Sequence, residues 1–212
     1  MRDDFTAYLG AVSRTVTELE REGKPARNVT LERIYDTSPD DLWEAVTNPE
    51  RLTRWFLPVS GDLKPGGHFQ LKGNAGGTIR ECDPPGFLSI TWEFGGGMSW
   101  VEVRIAAESE SRARLTLSHI CPVDDHWKKY GPGAVGVGWD LALLALVFHF
   151  VDGAEQLDEA TFSASSEGKA YITGASGDWR QAAVASGDDA AHAEAAAERT
   201  TAFYTGTLSP DS

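Results

Sequence analysis

Beyond Pro58 the chain stops reading as helix. Apolar and polar residues alternate instead, in short runs separated by "KPGG", "GNAGG", "DPPG" and "FGGG". In "LSITWEF", Leu88, Ile90, Trp92 and Phe94 share one face while Ser89, Thr91 and Glu93 take the other. A period of two is that of a strand with one buried side. "SWVEVRI" sets Val101, Val103 and Ile105 opposite Trp100, Glu102 and Arg104, and "RARLTLSHI" puts Ala113, Leu115, Leu117 and His119 together. Connections this short permit only antiparallel pairing, because parallel strands need a crossover of a dozen residues or more. The expectation is a meander with one apolar face, and that face needs a cover.

The cover is "GWDLALLALVFHFV", Gly138 to Val151, whose two polar residues, Asp140 and His149, lie on opposite sides. A helix that is apolar nearly all round is covered on more than one face. The sheet supplies one; the chain's two ends are the candidates for the other. Phe5, Tyr8, Leu9, Val12, Val16 and Leu19 recur at three- and four-residue steps and predict an amphipathic helix that ends near "EGKPARN". The 61 residues after Val151 include 15 alanines and read as helical cover, with breaks at "ITGASGDW" and "ASGDDAA". Asp188 or Asp189 caps the last of these helices, and Ala193, Ala196, Thr200, Phe203 and Tyr204 form its stripe. Between the first helix and the meander come a strand in "VTLERIY" and two short helices. The first opens at Ser38–Pro39 and the second at Asn48–Pro49, each with an acid in its first turn.

A net charge of −13 repels phosphate backbones and anionic lipid surfaces, so nucleic-acid binding is disfavoured. Most of the excess sits in residues 152–212, with eleven acids against three bases. The longest apolar run, Leu141 to Val151, is far short of the roughly 18 residues that a membrane span needs. The first sixteen residues lack the continuous apolar stretch of a secretory signal, so a cytoplasmic location is the expectation. Cys82 and Cys121 show no C-x-x-C spacing and read as reduced thiols.

Taken in order, "YDTSPDDLWEAVTNPERLTRWF", "GDLKPGGHFQL", "GGTIRECDPPGFLSITWEF", "RARLTLSHI" and "GWDLALLALV" make the segment from Val29 to Val151 resemble the START-like, or SRPBCC, superfamily. The branch it is similar to is the C-terminal domain of the activator of heat-shock chaperone ATPase. The resemblance implies an α+β helix-grip fold, in which a curved antiparallel sheet grips a long C-terminal helix around an apolar cavity. Lipids, polyketides and aromatic molecules are the ligands such cavities receive. The first 28 and last 61 residues lie outside the pattern as added helical extensions, although the sequence also looks like a class of bacterial proteins that carry them.

Seven tryptophans are a heavy endowment for this length, and rigid aromatic area suits an apolar guest as well as an ordinary core. The candidate ligand-binding residues are Trp55 and Phe56 at the break after the second short helix, Phe69, Trp92 and Trp100 on strands, and Trp139 and Leu143 on the long helix. His119 joins them and is a candidate for catalysis, since the alternation aims an ionisable group toward the apolar side. The alternative is a core histidine satisfied by the backbone. "HICPVDDHW" gathers metal-binding residue types but lacks H-E-x-x-H or C-x-x-C spacing, so no metal is expected. "GPGAVG" imitates a dinucleotide fingerprint without a buried strand before it, and reads as a flexible entry into the helix. No cofactor is implied. The expected function is capture of a small hydrophobic ligand, with two alternatives: a chaperone-associated module with a protein partner or a homodimer contact, and an enzyme like the polyketide cyclases and dehydratases.

Overall fold

The computed structural model describes residues 5–151 and 156–207. The fold is α+β and of the helix-grip class, with an antiparallel sheet of eight strands. The chain divides into two compact units, one made of Met1–Leu31, Pro122–Leu144 and Leu157–Ser212, the other of Glu32–Cys121 and Ala145–Gln156. Residues 152–155 lie outside the described ones.

In the first unit, helix α1 covers only Phe5–Gly10, and strand β1 occupies Ser13–Arg21. The helix expected to run to Leu19 stops at Gly10 instead. Thr15, Val16 and Thr17 form a β-branched run that favours strand. Glu22 and Gly23, with φ of 53° and 75°, make the two-residue turn that folds β1 back on strand β2, Lys24–Tyr35. Helix α4 spans Asp125–Tyr130, and helix α5 starts at Gly133, five residues before the expected position, and runs to His149, its residues from Ala145 on belonging to the second unit. Most of "GPGAVG" is therefore helix rather than a flexible entry. Its Gly136 is required by a neighbour: a Cβ there would lie 2.2 Å from the Trp179 indole.

Helices α6 (Glu159–Ala164), α7 (Ser166–Ala185) and α8 (Ala190–Tyr204) complete this unit. α7 runs unbroken through "ITGASGDW", contrary to expectation. Its small residues admit neighbours instead of ending the helix; a Cβ on Gly174 would meet Leu9 at 2.6 Å. Asp189 caps α8 by accepting from His192 N, and Ala193, Ala196 and Thr200 are buried, but Phe203 is 57% exposed. Tyr204 donates to the Ala134 carbonyl at 3.0 Å and Thr200 to that of Tyr130 at 3.1 Å, which fastens α8 to the first turn of α5 and the end of α4.

In the second unit, helix α2 (Pro39–Thr47) is capped by Ser38, whose side chain accepts from Asp41 N, and helix α3 (Pro49–Trp55) by Asn48, which accepts from Glu50 N. Each cap is worth about 1 kcal/mol. The strands are β3 (Val59–Gly61), β4 (His68–Leu71), β5 (Gly76–Asp83), β6 (Phe87–Phe94), β7 (Gly97–Ser109) and β8 (Arg112–Pro122). Their order from one sheet edge is β3-β4-β5-β6-β7-β8-β2, and β1 follows β2. Among the described residues no helix is long and apolar enough to cross a membrane.

Candidate functional site

Register decides which side chains share a face. Ile79 pairs with Ile90, Ile90 with Val101 and Val101 with His119, so these four form one row across β5 to β8. Leu88, Val103 and Leu117 form the next row, and Trp92 lies opposite Ser99. Phe69, paired with Gly77, and Leu71, paired with Val59, extend the same side through β4. The alternation in the sequence is what produces this surface.

At its centre Phe69, Leu71 and Ile79 are buried. Around them Phe56, Leu57, Val59, Cys82, Leu88, Ile90 and Trp92 pack against this cluster but stay only partly buried. A cluster of ten side chains with a buried middle and a half-open apolar margin can take further apolar cover. None of the ten carries a formal charge; Cys82, the one that titrates, is pushed up by burial and by Asp83.

Trp55 and Phe56 have separate tasks here. The Trp55 indole N–H donates to the Ala45 carbonyl at 2.9 Å, which ties α3 to α2. Phe56 stacks on it, ring centroids 5.4 Å apart, and reaches the apolar cluster. The two aromatics before the Pro58 break are thus one prop and one contact.

A polar corner adjoins the cluster. Ser99 Oγ lies 2.7 Å from His119 Nε2 and 3.3 Å from the Trp92 carbonyl, and the Trp92 ring meets the imidazole edge-on at 6.0 Å. His119 is 2% exposed, and burial pushes its pKa down to about 3. It is a neutral hydrogen-bonding group at physiological pH. Ser99 was not among the sequence candidates, although alternation from Val101 places it on this side.

The remaining candidates fall elsewhere. Trp100 is buried on the reverse face of β7, across from Ile120 and beside Thr91. Trp139 and Leu143 belong to the first unit, the former partly buried and the latter buried. Asp124, from the metal-like run, caps α4 by accepting from Trp127 N at 2.8 Å.

The first unit holds a buried polar network that sequence reasoning missed. Asp140 is wholly buried and receives Arg14 Nη2 at 2.7 Å, Arg14 Nε at 3.1 Å and Trp179 Nε1 at 2.8 Å. Arg14 also donates to Asp178 and to the carbonyls of Leu9 and Val12, and Tyr171 donates to the Asp140 carbonyl. The signal was there: an acid in so apolar a helix must be paired, because an unpaired buried charge is too costly. Among the described residues every partner of this carboxylate is a side chain of the fold, so the network is structural.

Comparison with known proteins agrees with this architecture. The family described as Activator of Hsp90 ATPase homolog 1-like protein matches residues 36–149. The crystal structure of CalU16 from Micromonospora echinospora is 35% identical, with a TM-score of 0.60, covering 67% of this chain and 87% of that one. The solution structure of CalU16 aligns over 93% of this chain and 94% of that one, at 26% identity and a TM-score of 0.64. DynU16, from the dynemicin biosynthetic locus, shares the fold at 21% identity and a TM-score of 0.53, over 62% of this chain and 50% of that one. The comparison with curated proteins found no match.

Proposed function

The chain belongs to the family of Activator of Hsp90 ATPase homolog 1-like proteins, and from that premise we propose that it binds a small hydrophobic molecule, of lipid, polyketide or aromatic type, on the apolar face of β4 to β6. The observation that carries this is the ring of partly buried hydrophobics around Phe69, Leu71 and Ile79. A solvated margin of this kind is stabilised by an apolar guest, at about 25 cal/mol per Å² of area removed from water. Phe56, Phe69 and Trp92 supply the contact area, and His119 with Ser99 supplies the polar orientation that such sites use sparingly.

Nile red, neutral and polarity-sensitive, tests the reading. A saturable blue shift is expected, with Leu88→Asp weakening affinity at least ~10-fold by placing a charge on the face. An unshifted spectrum, or equal affinity in the variant, would sink it.

A protein contact is the second reading, favoured by the β6–β7 turn. Phe94 there is 62% exposed and Met98 42% exposed, and the family description names a chaperone ATPase. Purified Hsp90 should then hydrolyse ATP faster when the protein is added, and Phe94→Ser should reduce the effect. No acceleration by the unmodified protein would rule this reading out.

A further inference from the structure

We infer that the corner formed by Ser99 and His119 selects ligands that bring a hydrogen-bond donor, an aromatic hydroxyl or an N–H, and discriminates against carboxylates. This rests on the reading that the adjoining apolar face holds a guest. It adds a chemical class to that guest.

A single proton governs this preference. A serine hydroxyl has a single hydrogen and two lone pairs. Ser99 Oγ has two partners among the described residues, His119 Nε2 at 2.7 Å and the Trp92 carbonyl at 3.3 Å. If His119 carries its hydrogen on Nε2, it donates to Ser99, and Ser99 donates to Trp92. If Nε2 is bare, Ser99 donates to it. Both arrangements spend the serine proton inside the protein and leave a lone pair on Oγ. Ser99 is partly exposed, so that lone pair is what the corner offers a visitor.

A donor on the guest completes the geometry. A carboxylate is acceptor-only and would set lone pairs against lone pairs. No cation offsets its charge in the adjoining cluster, whose ten members are apolar side chains and one thiol. His119 does not supply one either, since burial keeps the imidazole neutral to about pH 3. Trp92 belongs both to the cluster and to the corner, so an aromatic guest lying on the cluster brings its substituent to Ser99.

The test is competition against bound Nile red by naphthol, its methyl ether and naphthoate, which share one ring system. Naphthol should displace the dye about 5-fold more effectively than the ether, the value of one neutral hydrogen bond, and naphthoate should be the weakest. Ser99→Ala should bring naphthol and its ether to equal affinity. Ser99→Thr, which keeps an acceptor oxygen, should restore the preference and controls for misfolding of the alanine variant. Equal displacement by naphthol and ether in the unmodified protein, or tightest binding of naphthoate, overturns the inference while leaving the apolar site standing. Failure of Nile red and all three naphthalenes to bind overturns both.

Discussion

The indole N–H of Trp179 donates to the Asp140 carboxylate at 2.8 Å, and both side chains are buried. Arg14 closes the other side of the same carboxylate at 2.7 Å. Burial raises the Asp140 pKa, against the pull of Arg14 and the indole. The pair is held by its surroundings rather than by its charge alone. Arg14→Ala strands the acid, and breaking a buried pair this way should lower stability by about 3 kcal/mol. Urea denaturation measures it; a loss below about 1 kcal/mol would show that the site admits water and that the network does not fasten β1.

Two glycines of the first unit should respond in opposite directions. Gly136→Ala drives a methyl into the Trp179 ring, 2.2 Å away, and should destabilise by about 1–3 kcal/mol. Gly177 sits inside α7 with nothing within 4 Å of where a Cβ would stand, so Gly177→Ala should stabilise by about 0.5–1 kcal/mol. Thermal melts of the two variants check both signs, and a shift in the same direction would contradict the packing described.

His119 makes stability depend on pH with a defined sign. Its folded pKa of about 3 lies below the ordinary 6.5, so between these values the unfolded chain binds the extra proton. The stabilisation is complete above pH 6.5 and is lost as pH falls toward 3, by up to ~1.4 kcal/mol per pH unit. Denaturant titrations at stepped pH should show this slope, and His119→Gln should flatten it. An imidazole NMR midpoint near 6.5 would mean that water reaches the ring.

Arg51 connects α3 to the end of α5. Its Nε and Nη2 lie 3.3 and 3.1 Å from His149 Nε2, and its Nη1 is bonded to Asp41. Burial, and after it the charges of Arg51 and Arg54, lower the His149 pKa, with Asp41 pulling the other way. Arg51→Met should therefore raise the His149 titration midpoint and loosen Asp41. An unchanged midpoint would show that the guanidinium does not face the imidazole in solution.

The meander was legible because its signal is local: alternation and glycine turns name the strands, and register then fixes which residues meet. Both short helices announced themselves through Ser38–Pro39 and Asn48–Pro49. The first strand was not legible, since Val12, Val16 and Leu19 satisfy a helical stripe as readily as a strand, and only pairing with β2 decides between them. Nor was the unbroken α7, because Gly174 and Gly177 look like breakers until Leu9 is seen against one of them. His119 was visible as a polar residue on an apolar face. Ser99 was not, because a serine beside a glycine turn carries no sign of its partner twenty residues on.

The central claim is that the face formed by Phe69, Ile79, Leu88, Ile90 and Trp92 receives a guest. Isotope-filtered nuclear Overhauser measurements on the protein with naphthol test it directly. Cross-peaks from the ring protons to the methyls of Ile79, Leu88 and Ile90 and to the Trp92 indole are expected. Cross-peaks confined to residues of the other unit, or none at a saturating concentration of the probe, would contradict it.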